Sequence, residues 1–132
     1  GQIGYGETKS DVFAGSTYDP TSHYRAAQVI EFFASEGLTV ERLRDLSIRQ
    51  TSAIIAALGE NGLASPLEPT ARGGFVTYRV EHASDLVSTL RQQGVYADSR
   101  GSYVRFGPAP YLSFNDIEKA TSLIKEYMNP IR

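Results

Sequence analysis

The spacing of apolar residues changes from helical to strand-like near the middle of this 132-residue chain. Before residue 65, apolar side chains recur every three or four positions, as they do along one face of an α-helix. After residue 74 they alternate, which is typical of a strand with one buried face. The stretch between, residues 65–74, holds two prolines and two glycines and predicts a connector. The pattern therefore predicts an α+β fold, in which helices pack against a small sheet.

Two helices are predicted before the connector. The first begins at Asp19-Pro20, because Asp is a good N-cap and Pro suits the first helical position, and it ends at Gly37. The second runs from Thr39 to about Leu58. Their predicted buried stripes are Ala26, Val29, Ile30 and Phe33 in the first helix, and Leu43, Leu46, Thr51, Ile54, Ile55 and Leu58 in the second. The short link between them predicts a helical hairpin over residues 19–60.

The second half reads β-α-β-β-α over residues 74–128. Strands are predicted at 75–80, 95–99 and 102–107, with a tight turn at Arg100-Gly101 between the last two. A helix closed by Gly94 lies between the first two strands, and a capping box at 113–116 opens the last helix. The helical stripes are Ala83, Leu86, Val87 and Leu90, and then Ile117, Ala120, Thr121, Ile124 and Met128. We expect an antiparallel sheet of about three or four strands with helices on one face.

Composition excludes several classes of function. The net charge of -2 gives no basic excess for nucleic acid or for an anionic membrane surface. The absence of cysteine excludes disulfides, thiolate nucleophiles and cysteine-based zinc sites. His23 and His82 lack ligand spacing, so surface or capping roles are favoured over a metal site. No apolar run reaches about 18 residues, and a cytoplasmic protein fits this sequence.

Two groups of residues are candidates for binding. In the last strand, alternation puts Val104 and Phe106 on one face and Arg105 on the other, beside the rigid bend that begins at Gly107. A guanidinium in that place can grip a carboxylate, although the pattern alone favours a plain exposed arginine. Ser16 and Thr17 precede a helix start, where hydroxyls cap the helix or bind a phosphate. The sequence pattern alone does not favour phosphate binding over helix capping.

Three segments carry a resemblance to a known family. RGGFVTY at 72–78, QGVYADSR at 93–100 and YVRFGPAPYLSF at 103–114 occur in the order and at the spacing of the end of kynureninases. GQIGY at 1–5 is similar to the family's glycine-rich segment after the cofactor lysine, and FAGSTYDP at 13–20 is similar to its turn before a helix. The chain resembles the C-terminal small domain of kynureninase-like enzymes, which use pyridoxal phosphate and have the class V aminotransferase fold (fold type I).

The resemblance implies roles for particular residues of this chain. Arg105 takes the place of the arginine that binds the substrate α-carboxylate, and Ser16 and Thr17 fall near the turn that reaches the cofactor phosphate. The resemblance implies that this chain contains no catalytic residue, since Lys9, Lys119 and Lys125 do not stand in the cofactor-lysine motif. We expect pyridoxal phosphate in the intact enzyme, and neither bound cofactor nor activity in this chain alone.

The resemblance also implies partners and boundaries. Residues 1–18 would be a loop remnant of a missing large domain, and residues 19–132 the small domain. The intact enzyme would be a homodimer acting on a small amino acid as a hydrolase, lyase or aminotransferase. Two alternatives stay open, a free-standing small-ligand module of the β-α-β-β-α type and a dimerisation element built on the hairpin. A start without Met favours the enzyme fragment.

Overall fold

The structure is a computed structural model in which residues 19–128 are described. The described elements, in chain order, are α1 (Thr21–Ser35), α2 (Val40–Leu58), a 3-10 turn (Pro69–Ala71), β1 (Val76–Arg79), α3 (Ala83–Gln92), β2 (Asp98–Arg100), β3 (Tyr103–Phe106) and α4 (Phe114–Met128). The chain divides into two compact units, residues 1–39 and 40–132, and each is considered by itself. That the chain divides functionally at residues 18/19 stays a prediction.

Helix α1 begins one residue later than predicted, with Pro20 rather than Asp19 as its N-cap, and it ends where the sequence indicates. The Asp19 carboxylate accepts a hydrogen bond from the Thr21 amide at 2.9 Å, and Gly37 follows the helix with a φ of 62°. The expectation of a buried stripe is wrong, because Val29 and Ile30 are 54% and 68% exposed. A helical repeat identifies which face is apolar, whereas burial also requires a partner for that face. Packing of α1 and α2 as a hairpin stays a prediction.

The second unit is built around an antiparallel sheet of three strands, as predicted, and the strand order is β1-β3-β2. Strand β2 begins at Asp98, three residues later than expected. The cause is the end of α3, where the Val95 amide donates to the Leu90 carbonyl at 2.9 Å and Gly94 takes a φ of 80°. Residues used to close a helix in this way are unavailable to a strand ladder.

Helices α2, α3 and α4 cover one face of this sheet. Val76 lies opposite Phe106, and Tyr78 lies opposite Val104, so their buried side chains share that face. The core also contains Ile54, Ile55, Ala83, Leu86, Leu90, Ile117 and Ile124. Burial is the main cause that raises the pKa of Tyr78, and the negative charge of Glu60 is a smaller one. The Tyr78 hydroxyl donates a hydrogen bond to the Gly59 carbonyl at 2.8 Å. The prediction of helices on one face is confirmed.

The capping box at the start of α4 is also confirmed. The Asp116 amide donates to the Ser113 hydroxyl at 3.2 Å, and the Ser113 amide donates to the Asp116 carboxylate at 3.0 Å. The Ser113 hydroxyl and amide lower the pKa of Asp116. Because this reciprocal pair satisfies amides that the helix leaves unbonded, α4 starts sharply after the bend that follows β3.

Candidate functional site

Arg105 lies at the centre of the sheet face that the helices leave open. It is the third residue of β3, the middle strand, and its cross-strand neighbours are Thr77 on β1 and Asp98 on β2. Its side chain is 38% exposed, whereas Val104 and Phe106 on either side are buried. The alternation predicted from the sequence is therefore confirmed, and the guanidinium is accessible to solvent.

The guanidinium has an acidic and an aromatic neighbour. Its Nη2 donates a hydrogen bond to the Asp98 carboxylate, and its central carbon lies 5.6 Å from the centroid of the Phe75 ring. The hydrogen bond from Arg105 is the largest cause that lowers the pKa of Asp98. The Nε of Arg100 lies 3.6 Å from the same carboxylate oxygen. Asp98 is thus held between two arginines and stays ionised at neutral pH.

Most of the hydrogen-bonding capacity of Arg105 remains open. A guanidinium carries five N–H donors, and among the described residues its side chain bonds only to Asp98. On the same face, Arg79 and Arg100 lie opposite Tyr103. The open face of the three strands therefore carries three arginines and one aspartate, a balance that attracts an anion such as a carboxylate.

Helix α2 fixes the bend that follows β3. Gln50, only 1% exposed, donates from its side-chain amide to the carbonyls of Ala109 at 3.2 Å and Leu112 at 3.0 Å. At Gly107, a Cβ would lie 3.5 Å from the Cβ of Phe75, in ordinary contact. The bend is therefore anchored to the helical layer and packs close to the residue whose ring neighbours Arg105.

Helix α2 also fixes the connector that leads into β1. Arg72 is 4% exposed and donates to the Thr51 hydroxyl at 3.1 Å and the Ser52 hydroxyl at 2.7 Å. It further donates to the connector carbonyl of Leu67 at 3.0 Å. Arg44 adds bonds to the carbonyls of Pro69 at 2.6 Å and Arg72 at 2.8 Å. Sequence reasoning missed this role, for which the only signal was the RGG motif.

A cleft beside the bend does not include Arg105 in its lining. It has a volume of about 630 Å³ and lies on the helix side of the bend. Its lining includes Val95, Tyr96, Phe106, Pro108, Tyr111, Leu112, Ile117, Ala120 and Ile124. Arg105 instead stands on the exposed face of the sheet.

The other predicted site residues are distributed as follows. Ser16 and Thr17 lie outside the described residues. Lys119 and Lys125 are exposed on α4. His82 occupies the N-cap position of α3, where its side chain makes no capping hydrogen bond. In the described part of the chain, no three acidic or histidine side chains converge as metal ligands, and no helix is long and apolar enough to cross a membrane.

Comparison with known proteins places the chain in a family. Residues 41–124 match the family described as "Kynureninase C-terminal domain". The chain is also 29% identical over 107 residues to the kynureninases of two strains of Bacillus cereus. Each alignment covers 75% of this chain and 24% of the relative, so the chain spans about a quarter of those enzymes. Because the family match includes the sheet, Arg105 and the helices that cover the core, the chain belongs to the kynureninase C-terminal domain family.

Proposed function

We propose that this domain serves a pyridoxal-phosphate enzyme of the kynureninase type by binding the α-carboxylate of an amino-acid substrate through Arg105. The observation that carries the proposal is the position of Arg105 at the centre of an open, arginine-rich sheet face. Its unused N–H donors suit a carboxylate, because a planar guanidinium can bind both carboxylate oxygens at once.

The rest of the active site must come from elsewhere. The arginine face is a single wall, so a substrate held there needs a second surface, which we assign to a large domain and to the other subunit of a homodimer. A membrane or nucleic-acid partner is not part of this proposal. That the enzyme is cytoplasmic, and that its reaction is hydrolysis, lysis or transamination of a particular amino acid, stay predictions.

The described residues do not fit pyridoxal phosphate by themselves. Both described lysines are exposed on α4, and neither shares the open face of the sheet with Arg105. Bound pyridoxal phosphate supplies an electron sink for the chemistry at the substrate α-carbon. We assign its binding to residues outside 19–128, with Ser16 and Thr17 contributing to the phosphate, and we expect the isolated chain to be inactive and free of cofactor.

The proposal is tested by replacing Arg105 with Lys in the intact enzyme. Lysine keeps the charge and loses the planar fork, so kcat/KM for the amino-acid substrate should fall by about 10- to 100-fold, as expected when a charge-assisted bond is lost. The matched control is Arg79→Lys, on the same sheet face, which should retain kcat/KM. Unchanged kcat/KM in Arg105→Lys would refute the assignment.

A further inference from the structure

We propose that Asp98 is the positioning residue for Arg105, holding its guanidinium on the open sheet face in the orientation that receives the substrate carboxylate. This inference rests on the proposed function of Arg105 and extends it to a second residue. It is carried by the strand register, the ion pair and the aromatic contact around the guanidinium.

The pairing of Asp98 and Arg105 is built into the backbone. Asp98 is the first residue of β2 and lies directly opposite Arg105 in the antiparallel ladder. The two strands are joined through Gly101 and Ser102, and Gly101 takes a φ of 56°. A two-residue hairpin turn with Gly in its first position fixes the register of its strands. The register of the two strands therefore places the Asp98 carboxylate next to the Arg105 guanidinium. Their contact does not depend on the chance approach of two mobile side chains.

The side-chain contacts restrict the guanidinium and leave it able to bind. Nη2 of Arg105 donates to the Asp98 carboxylate, and the Phe75 ring lies 5.6 Å from the guanidinium carbon. An arginine held by an acid and a ring loses less rotamer freedom on binding, and such preorganisation favours affinity. The remaining N–H donors suffice for two further hydrogen bonds to a substrate carboxylate.

The negative charge of Asp98 is also balanced at this place. Arg100 approaches the same carboxylate oxygen, with its Nε at 3.6 Å. A substrate carboxylate next to Arg105 therefore meets two arginines for one aspartate, so repulsion from Asp98 is offset. In the opposite role, Asp98 would compete with the substrate carboxylate for Arg105 and would have to be displaced. The two roles predict opposite changes in KM when the carboxylate is removed.

The test compares Asp98→Asn, Asp98→Glu and Asp45→Asn in the intact enzyme, using its amino-acid substrate. Asp98→Asn should raise KM by about 3- to 30-fold, a change within the coupling expected for two groups in one ion-pair network, with kcat changed less. Asp98→Glu should recover part of the loss, because it restores the charge. Asp45 is an exposed aspartate of α2, and Asp45→Asn should leave both constants unchanged.

A second measurement reports on orientation without depending on turnover. In nuclear magnetic resonance spectra of the 132-residue chain, the Nε–Hε signal of Arg105 should move towards the position of a solvent-exposed arginine in Asp98→Asn and stay in place in Asp45→Asn. An unmoved Arg105 signal in Asp98→Asn overturns the positioning role.

The kinetic outcomes separate the two proposals. A lower KM in Asp98→Asn means that Asp98 competes with substrate, and an unchanged KM means that it does not position Arg105; either result overturns this inference alone, provided that Arg105→Lys lowers kcat/KM. An Arg105→Lys enzyme with unchanged kcat/KM overturns the proposed function and this inference together.

Discussion

Two arginines of this domain occupy opposite kinds of surroundings. Arg72, in the connector before β1, is 4% exposed and bonded to hydroxyls and carbonyls of α2 and its own loop. Arg105, on β3, is 38% exposed and bonded within the described residues to one carboxylate. The N–H donors of Arg72 are used in hydrogen bonds within the fold, whereas most N–H donors of Arg105 remain available to a ligand.

The difference shows how the same side chain acquires a structural or a binding role. Removing Arg72 would delete a buried side chain together with its hydrogen bonds to Thr51, Ser52 and Leu67, and the loss of several such bonds is costly. Removing Arg105 would expose groups that already face water. Stability and activity should therefore respond oppositely to substitutions at these two positions, although both residues fall in segments that resemble the family motif.

The largest stability effect is expected for Arg72→Ala. It should lower the free energy of unfolding by about 2–4 kcal/mol, because a buried side chain and several of its hydrogen bonds are lost together. Urea denaturation of the 132-residue chain, followed by circular dichroism, measures the change. Arg49→Ala, at an exposed position of α2, is the control and should stay within about 0.5 kcal/mol. If Arg72→Ala lowered the free energy of unfolding by less than about 1 kcal/mol, Arg72 would not differ from Arg105 as a structural residue.

Gln50→Ala should have the next largest effect. Two hydrogen bonds to the bend are lost, and the carbonyls of Ala109 and Leu112 lose a buried donor. We expect the free energy of unfolding to fall by about 1–3 kcal/mol. The same denaturation experiment applies, with the exposed Gln92→Ala as control. If Gln50→Ala matched its control, the bend would be held by its prolines rather than by α2.

Arg105→Ala should hardly change stability. An exposed ion pair contributes little to folding, so the free energy of unfolding should change by less than about 1 kcal/mol. Measured in the same chain and buffer, this variant is the direct counterpart of Arg72→Ala. A loss as large as that of Arg72→Ala would show that Arg105 is a structural residue and would weaken its assignment to substrate.

The smallest effect is a pH dependence at Asp98. The hydrogen bond from Arg105 lowers the pKa of Asp98 in the folded chain, below the value of about 3.9 for an unfolded aspartate. The stabilisation is therefore complete above the unfolded pKa and is lost as the pH falls through the lower, folded pKa. The stability difference between the wild-type chain and Asp98→Asn should be constant at neutral pH and shrink in strong acid.

The control for this measurement is an Arg105→Ala background. Without the guanidinium that is the main cause of the lowered pKa, the pH dependence of the Asp98→Asn difference should become smaller. Denaturation at a series of pH values from neutral to strongly acidic supplies both curves. A difference that grew in acid would mean that Asp98 is disfavoured as an anion in the folded chain, contrary to the ion pair.

Several features could be predicted from the sequence because they depend on local chemistry. Glycines with positive φ end α1 and α3 where expected, and the Ser113–Asp116 capping box opens α4. The alternation of β3 correctly separated Arg105 from its buried neighbours, since side chains on a strand must point to opposite faces. Family motifs then supplied a hypothesis for Arg105 that the alternation alone could not.

Other features depend on which segments meet in space. The apolar stripe of α1 has the spacing of a buried face, yet it is exposed. The length of β2 depends on how many residues α3 uses at its end, and the partners of Arg72 lie about twenty residues back along α2. Periodicity and capping act within a few residues and can be read along the chain. Burial and the pairing of β1 with β3 depend on residues that are distant in the chain, so only the tertiary structure decided them.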